Sequence, residues 1–284
     1  PPSHPTRDAC AAARPCPDNT MLTESTLPET APVCPDHAGE PSTGTCERCG
    51  RFVCAKCRTA QAGVCAACSV RQVQALPFTR ARTRWASVAL AASAVLAVPV
   101  AILNLWLYLS FDNGSPSLED AESFDQLNAL LALPALLTML ATVVLYLRWL
   151  RLSVKTANAL GLSNESTGWA TFCWFIPFAN LFKPLEVVRG LWQGLGGPPE
   201  RQSMLTAWWA TWILSNIISN VGNTFARVDT ANSTSLSVSL LAGILSEGLS
   251  IAAAVLCIRV IGDIESLLVA RRAEAEATMT GATP

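Results

Sequence analysis

The sequence predicts an all-α polytopic membrane bundle of about four transmembrane helices plus a re-entrant or interfacial segment, preceded by a small zinc-binding module. Charged residues make up 14% of the 284 residues and hydrophobic residues 51%, whereas a soluble domain is about 25% charged. Nine of the 11 cysteines lie before residue 69, and clustering of this kind indicates metal or disulfides. The formal net charge of -1 gives no bulk attraction to nucleic acid.

The first 32 residues predict a disordered tail, because they are rich in Pro, Thr, Ala and Asp. They contain no apolar segment of the kind a signal peptide needs. We expect the natural protein to start at Met21. Residues 1–20 are then not native, and Cys10 and Cys16 have no role in metal binding.

Residues 33–69 form the predicted metal module, because four ligand pairs there share a two-residue spacing. This spacing lets a tight turn aim both side chains at one ion, and eight thiolate and imidazole ligands suit two closed, structural zinc sites. Extracellular disulfides are the alternative, although they would fit eight cysteines better than seven cysteines and one histidine. The pairs are Cys34 and His37, Cys46 and Cys49, Cys54 and Cys57, and Cys65 and Cys68.

Only four residues separate the second pair from the third, so one ion shared between these neighbours would need a very tight loop. A cross-brace relieves this, and it predicts two ligand sets: Cys34, His37, Cys54 and Cys57 on one ion, and Cys46, Cys49, Cys65 and Cys68 on the other. A single ion stays open as an alternative. The order of the pairs resembles a B-box zinc finger in which Cys65 and Cys68 replace the usual final histidines, and it matches a RING less well.

The membrane domain is predicted over residues 86–270, after a basic linker at residues 70–85 and before a disordered tail at residues 271–284. An acidic loop follows the first span and contains no Lys or Arg. Basic residues instead border the start of the first span, the end of the second, the start of the third and the end of the fourth. The predicted spans are residues 86–111, 127–147, 204–225 and 236–261.

This charge pattern predicts that both termini lie in the cytoplasm, since basic loops stay on that side. The module then lies in a reducing compartment, which favours zinc over disulfides. Residues 169–182 cannot be a fifth span without breaking this arrangement. We expect that segment to be re-entrant or surface-lying on the cytoplasmic side, or else an amphipathic connector packed on the bundle.

Several short motifs resemble the bacterial membrane family of domain-of-unknown-function 4328 over roughly residues 85–270. They are Trp149-Leu150, Asn158, Leu160-Gly161, Gly168-Trp169, Trp174 to Pro177, Asn180-Leu181, Lys183-Pro184, Leu191-Trp192, Trp208-Trp209, Trp212 and Ser215-Asn216. The resemblance implies a multi-pass protein of the bacterial cytoplasmic membrane with no known activity. Its motif residues here are Asn158, Trp169, Pro177, Asn180, Lys183 and Pro184.

Polar residues at membrane depth form a candidate intramembrane site, because such groups are unfavourable in lipid. Glu247 lies near the middle of the fourth span, and Asn216 and Asn220 share one stripe of the third. A packed contact between the two spans and a proton or solute path are both open. Asn180, beside Pro177, is expected to hydrogen-bond to backbone groups that the break in the helix leaves unpaired.

No catalytic constellation is present in the sequence, so we expect no enzyme. The two histidines, His4 and His37, lie in the tail and in the module, and there is no Walker-type phosphate loop. The first hypothesis is an inner-membrane protein whose zinc module recruits a cytoplasmic protein partner. The alternative is a transporter or channel-like protein with a path at Glu247, Asn216 and Asn220. A homo-oligomer stays open.

Overall fold

The computed structural model describes residues 32–58, 63–75, 80–112, 117–228 and 233–279. The predicted disordered tail, with Cys10 and Cys16, lies outside them apart from Pro32. The strands are β1 Gly44–Thr45 and β2 Phe52–Val53, and the helices are α1 Ala66–Gln74, α2 Arg80–Asp112, α3 Leu118–Ala159, α4 Trp169–Phe172, α5 Lys183–Gly194, α6 Gln202–Val228 and α7 Ser233–Met279. Short 3-10 turns cover Cys173–Phe175, Ala179–Leu181 and Pro199–Arg201.

Four long helices, α2, α3, α6 and α7, form the bundle, in which α7 packs against both α2 and α6, and α2 packs against α3. Small side chains let α6 and α7 approach closely: the Ser215 hydroxyl donates to the Ser246 carbonyl at 3.1 Å and lies 2.7 Å from the Ser250 hydroxyl. The described part of the chain is therefore mostly helical, and it forms the predicted helical bundle.

Within the described ranges, three helices are long and apolar enough to cross a membrane: Arg80–Phe111, Leu118–Ala159 and Thr234–Ala277. Helix α6 has 27 residues but is not among them, because its tryptophans and asparagines lower its mean hydropathy. The helices thus fit an integral membrane protein, and the predicted count of four spans is not confirmed.

Helix α3 begins well before the predicted second span, so the acidic loop prediction is wrong for residues 118–126. Ser117 starts the helix with a capping box, in which its hydroxyl accepts from the Asp120 N–H at 3.1 Å and the Asp120 carboxylate accepts from the Ser117 N–H at 3.0 Å. Glu119 and Asp120 also lie where the positive end of the helix dipole favours acidic residues. Acidic side chains here extend the helix beyond the apolar segment.

The predicted basic linker and the predicted C-terminal tail are both partly helical. Residues 66–74 and 80–85 belong to α1 and α2, so most of the described part of the predicted linker is ordered. Helix α7 continues to Met279, so the predicted disordered tail is wrong for residues 271–279. Arg271 holds this extension to α5 by donating from Nε to the Leu195 carbonyl at 3.0 Å.

Four helix ends and the N-terminal module (residues 32–58 and 63–75) are joined by polar contacts at one end of the bundle. This end is the module end. Thr83 at the start of α2 donates to the Glu265 carboxylate at 2.9 Å. Arg201, just before α6, pairs with Asp263 at 3.3 Å. The capping box of α3 lies at the opposite end. The basic clusters that border the predicted spans therefore gather on one side of the bundle.

The core is densest near the module end, where α3, α5, α6 and α7 meet. Its largest fully buried side chains include Trp149, Trp192, Leu205 and Ile261, each at most 1% exposed. Farther along the helices the apolar side chains are exposed: only 11% of the most apolar window of α2, and of α3, is buried inside the chain. Surfaces of this kind are expected where lipid is the solvent.

Residues 169–182 do not cross the bundle, as predicted, and α4 is only four residues long. Phe172, Phe178 and Phe182 are 66%, 81% and 66% exposed. The Trp209 indole N–H holds this segment to α6 by donating to the Leu181 carbonyl at 2.9 Å. The exposed aromatic residues fit a segment at a membrane surface.

Candidate metal centre

The Cys46 and Cys49 pair lies in the turn between strands β1 and β2. These strands pair antiparallel, with Gly44 opposite Val53. Cys46 and Cys49 follow β1 directly, and the chain then turns back at Gly50, whose φ of 68° suits glycine. The Gly50 N–H donates to the Cys46 carbonyl at 2.8 Å. The turn therefore orients both thiols to the same side.

The other three pairs lie on comparable turns. The His37 N–H donates to the Cys34 carbonyl at 3.2 Å, and the Cys57 N–H donates to the Cys54 carbonyl at 3.1 Å. Cys65 immediately precedes α1, and its partner Cys68 is the third residue of that helix. Each two-residue spacing thus closes into one turn, as the sequence pattern predicts.

The structure brings the eight predicted ligands together in two groups, and all donor atoms within a group lie within 4.8 Å of one another. These are the two sets that the cross-brace predicts. All the described cysteines are free thiols, so none of them forms a disulfide. The groups are Cys34, His37, Cys54 and Cys57, and Cys46, Cys49, Cys65 and Cys68.

The separations between donor atoms match those around a tetrahedral zinc ion. Zinc–sulfur bonds of 2.3 Å in a tetrahedron place two sulfurs about 3.8 Å apart, and a sulfur and an imidazole nitrogen about 3.5 Å apart. The Cys34 and Cys57 Sγ atoms lie 3.7 Å apart, and those of Cys49 and Cys65 lie 3.9 Å apart. His37 Nδ1 lies 3.5 Å from Cys54 Sγ and 3.1 Å from Cys57 Sγ. Both groups therefore have room for one ion of this size.

Backbone N–H groups point at the sulfurs and support their charged form. The Cys65 N–H donates to Cys46 Sγ at 3.3 Å, and the Cys68 N–H donates to Cys65 Sγ at 3.4 Å. Arg48, which lies between Cys46 and Cys49, also links this pair to α1 by donating to the Cys68 carbonyl at 3.3 Å. These bonds orient the ligands and favour thiolate over thiol.

The thiols of the first group have strongly separated pKa values. Burial opposes ionisation of Cys34, but hydrogen bonds from the backbone of Cys54, from His37 and from the backbone of Asp36 outweigh it and lower its pKa to about 6. Burial and the hydrogen bonds it shares with Cys34 and Cys54 raise the pKa of Cys57 to about 12. Closely packed thiols cannot all ionise unless a cation offsets their repulsion.

The second group shows the same separation. Burial disfavours the Cys46 thiolate, yet backbone hydrogen bonds from Cys65 and Cys49 lower its pKa to about 6. Burial and contacts with the thiols of Cys49 and Cys65 raise the pKa of Cys68 to about 12. Each ligand group thus contains one thiol of lowered pKa and one of raised pKa, as expected where thiolates surround a metal site.

The predicted intramembrane polar residues are not brought into one hydrogen-bonded site. Asn216 and Asn220 are exposed on α6, and their amides donate to the Trp212 and Asn216 carbonyls of the same helix, both at 2.7 Å. Glu247 is half-buried on α7 and forms no hydrogen bond or ion pair with the described residues. Each polar group is therefore accommodated by itself.

The family-motif residues order the connection from α3 to α5. The Asn158 amide donates to the Glu165 carbonyl at 2.7 Å, Lys183 pairs with Glu186 at 2.5 Å, and Pro184 is buried in the first turn of α5. Trp169 and Pro177 lie in residues 169–182, the aromatic segment. The expectation for Asn180 is wrong: its Oδ1 is buried and accepts no hydrogen bond from the described residues.

One feature near this connection was missed by the sequence analysis. Trp174 packs edge to face against Tyr146 and Trp212, with ring centroids 5.2 and 5.8 Å apart. Trp208 and Trp209 extend the cluster. Nine tryptophans in 284 residues are a signal, but their convergence depends on how the segment that contains Trp174 lies between the side chains of α3 and α6.

The fold and the two ligand groups fit a helical membrane protein with an N-terminal module that could hold two metal ions. The model of the family Domain of unknown function (DUF4328) matches residues 112–266, more than half of the chain. The chain therefore belongs to that family, as the motif residues predict. Neither a curated protein nor a solved structure matches it.

Proposed function

We propose that this chain is a membrane adaptor of the bacterial inner membrane, in which a cytoplasmic two-zinc module holds a docking surface for a protein partner against a four-span domain. The observation that carries the proposal is the attachment of the module to the bundle. Ser69, within α1, donates to the Ala159 carbonyl at 2.6 Å, and both residues are buried. A module fixed in this way presents its outer surface at a defined place above the membrane.

The arrangement of helix ends supports four spans with both termini in the cytoplasm. Helix α6 has 27 residues and is therefore about 40 Å long, which exceeds the hydrocarbon thickness of about 30 Å. It lies against α7, and its first residues lie at the module end. The clustering of basic side chains at this end follows the positive-inside rule.

The donor set supports zinc in a structural role. Thiolates with one imidazole favour zinc over harder cations, and each group already supplies four protein ligands. A catalytic zinc keeps an open position for water or substrate. We therefore propose no enzymatic activity, and the ligand order remains most similar to that of a B-box.

The outer face of the module carries the features of a small docking surface. Phe52 on β2 is 43% exposed and Val33 is 55% exposed. Ion pairs between Arg51 and Asp36 and between Lys56 and Glu40 lie on the module surface. An exposed aromatic anchor with charged neighbours is typical of a transient protein interface.

The transporter alternative has weaker support. A solute path requires its polar groups to line a common cavity, whereas Asn216 and Asn220 are exposed on the outer side of α6. Glu247 forms no bond to either of them. The adaptor proposal uses the module, which a transporter would not require.

Crosslinking in native membranes tests the adaptor proposal, with the intact chain compared with Phe52→Asp and Cys46→Ser. Leu118→Asp is the matched control, because Leu118 is also exposed but lies at the other end of the bundle. We expect one specific partner with the intact chain and with Leu118→Asp, at equal membrane levels, and its loss with both module variants. Identical capture by all four chains, or capture of nothing, would refute recruitment by the module.

A further inference from the structure

Helix α6 lies at an edge of the bundle. It packs along α7, and it contacts α5 at the module end. Its other faces carry exposed apolar side chains, among them Leu214, Ile217 and Val221. Much of the surface of α6 is therefore left for lipid or for a partner.

Three asparagines form a stripe along one exposed flank of this helix, the asparagine stripe. Asn216, Asn220 and Asn223 follow one another at intervals of four and three residues, which places them on one side of α6. All three are exposed. Asn216 lies near the midpoint of the 27-residue helix, and Asn223 lies about 10 Å further along the axis. In the four-span topology proposed above, on which this inference rests, a hydrocarbon core about 30 Å thick contains the whole stripe.

The amides of the asparagine stripe are only partly satisfied. One N–H of Asn216 donates to the Trp212 carbonyl, and one N–H of Asn220 donates to the Asn216 carbonyl, both at 2.7 Å. A carboxamide offers two N–H donors and an oxygen acceptor. No described residue hydrogen-bonds to the side-chain oxygens of Asn216 and Asn220, or to the side chain of Asn223. Lipid cannot supply the missing bonds, so the stripe is unfavourable unless another polar surface covers it.

Two other polar positions of the membrane domain are paired between helices. The hydroxyl of Ser93 on α2 lies 2.9 Å from that of Thr142 on α3. The hydroxyl of Ser215 on α6 lies 2.7 Å from that of Ser250 on α7. Both pairs join helices that pack together. Because interhelical hydrogen bonds of this kind favour helix association in lipid, the asparagine stripe marks a position for a further helix.

The chemistry of the asparagine stripe favours a second copy of the same helix. Two copies inserted in the same orientation are related by a twofold axis along the membrane normal, so each residue of one α6 lies at the same depth as its counterpart. A carboxamide both donates and accepts, and each asparagine therefore complements its own counterpart. Asparagines carry no charge and do not repel one another. Arg227 comes in the last turn of α6, where the membrane surface allows its solvation.

We propose that two copies of this chain associate through α6, with Asn216 and Asn220 hydrogen-bonded to the same residues of the second copy. Asn223 extends the contact towards the end of the helix. The interface lies in the lipid, away from the zinc module. It therefore places two modules side by side on the same face of the membrane.

The test measures energy transfer between donor-labelled and acceptor-labelled copies of the purified full-length chain in phosphatidylcholine vesicles, over a range of protein-to-lipid ratios. We expect transfer that saturates and that falls when unlabelled chain is added. Asn216→Leu combined with Asn220→Leu removes both amides at similar size, and it should shift half-maximal association to about tenfold higher protein density. Asn216→Gln combined with Asn220→Gln keeps the carboxamides and should associate more strongly than the leucine pair.

Leu214→Ala combined with Val221→Ala is the matched control. Both residues are exposed on the side of α6 away from the asparagine stripe, and Leu214 lies about 160° around the helix from Asn216. This control should associate like the unmodified chain. Transfer that never exceeds the level expected from random proximity would overturn the proposal. Association that the leucine pair leaves unchanged, or that the control weakens equally, would overturn it as well.

A separate measurement distinguishes failure of the interface from failure of the proposed topology. Arg227 is exposed near the end of α6 that lies away from the module end. Arg227→Cys should react with a membrane-impermeant maleimide in cells whose inner membrane is intact, whereas the unmodified chain should not. Reaction without association overturns the interface alone. Reaction only after permeabilisation overturns the span, and the interface with it.

Discussion

The hydroxyl of Ser69 donates a 2.6 Å hydrogen bond to the carbonyl of Ala159, joining the first helix of the metal-binding module to the last residue of α3. The carbonyls at the end of a helix lack partners within it. A side chain 90 residues earlier therefore caps α3. The contact links the metal sites to the membrane domain, because Cys68, a predicted ligand, is the neighbouring residue on α1.

Ser69→Ala should loosen the module from the bundle without releasing metal. Loss of a buried hydrogen bond is worth about 1 kcal/mol, which corresponds to roughly fivefold faster hydrogen exchange of the α1 amides if they open locally. Ser203→Ala is the control, because the Ser203 hydroxyl makes only an exposed bond to the Glu200 carbonyl. Unchanged exchange in α1 would show that the contact does not hold the module.

Acidification should release the metal, because protons compete with it for the thiolates. With the pKa of Cys57 and Cys68 near 12, these thiols must lose protons when metal binds at pH 7.5. Cys34 and Cys46, with pKa values of about 6, are already ionised there and take up protons only as the pH falls through that value. Metal affinity should therefore fall with decreasing pH, and more steeply below about pH 6.

The measurement for this prediction is zinc occupancy between pH 8 and pH 5, read with a chromogenic chelator. Because the pKa values of Cys34 and Cys46 are lowered from 9.0 to about 6, the stabilisation of the fold by their ionised forms is complete only above pH 9 and is lost as the pH falls to about 6. Occupancy that is independent of pH over this range would contradict thiolate ligation.

Glu247→Gln should be silent if the chain is an adaptor. Glu247 forms no hydrogen bond or ion pair within the described part of the chain, so a neutral side chain of the same size removes no contact. Membrane level and partner capture should both stay unchanged. Loss of a proton-coupled flux in liposomes, with normal capture, would favour the transporter alternative instead.

The topology can be tested with two introduced cysteines. Ser117→Cys, at the start of α3, should react with a membrane-impermeant maleimide in cells whose inner membrane is intact. Glu200→Cys, next to α6 at the module end, should react only after permeabilisation. Both residues are exposed, so accessibility within the protein does not limit either reaction. Labelling of both residues from the same side would contradict the single span, α3, that the proposed topology places between them.

The ligand groups could be predicted from sequence because their geometry is local. A two-residue spacing fits one turn, and a four-residue gap between Cys49 and Cys54 disfavours sharing one ion between adjacent pairs. Helix ends were harder to predict: the Ser117 cap extends α3 through acidic residues, and the Arg271 bond to Leu195 orders a segment that composition alone suggests is disordered.

The tryptophan cluster could not be predicted, because it depends on how distant helices pack. Trp174 and Asn180 were visible as parts of a family motif, and Asn180 was expected to satisfy local backbone. Its Oδ1 instead remains without a partner among the described residues. Spacing along the chain does not show which side chains of α3, α6 and α7 face a common space.

The N-terminal module is proposed to be built on two cross-braced zinc ions. Elemental analysis of the purified full-length chain, isolated without added metal, measures them. We expect two zinc ions per chain, and fewer in Cys46→Ser at the same membrane level. A chain that carries no zinc, or one whose zinc content is unchanged by Cys46→Ser, would show that these residues do not form the proposed zinc sites.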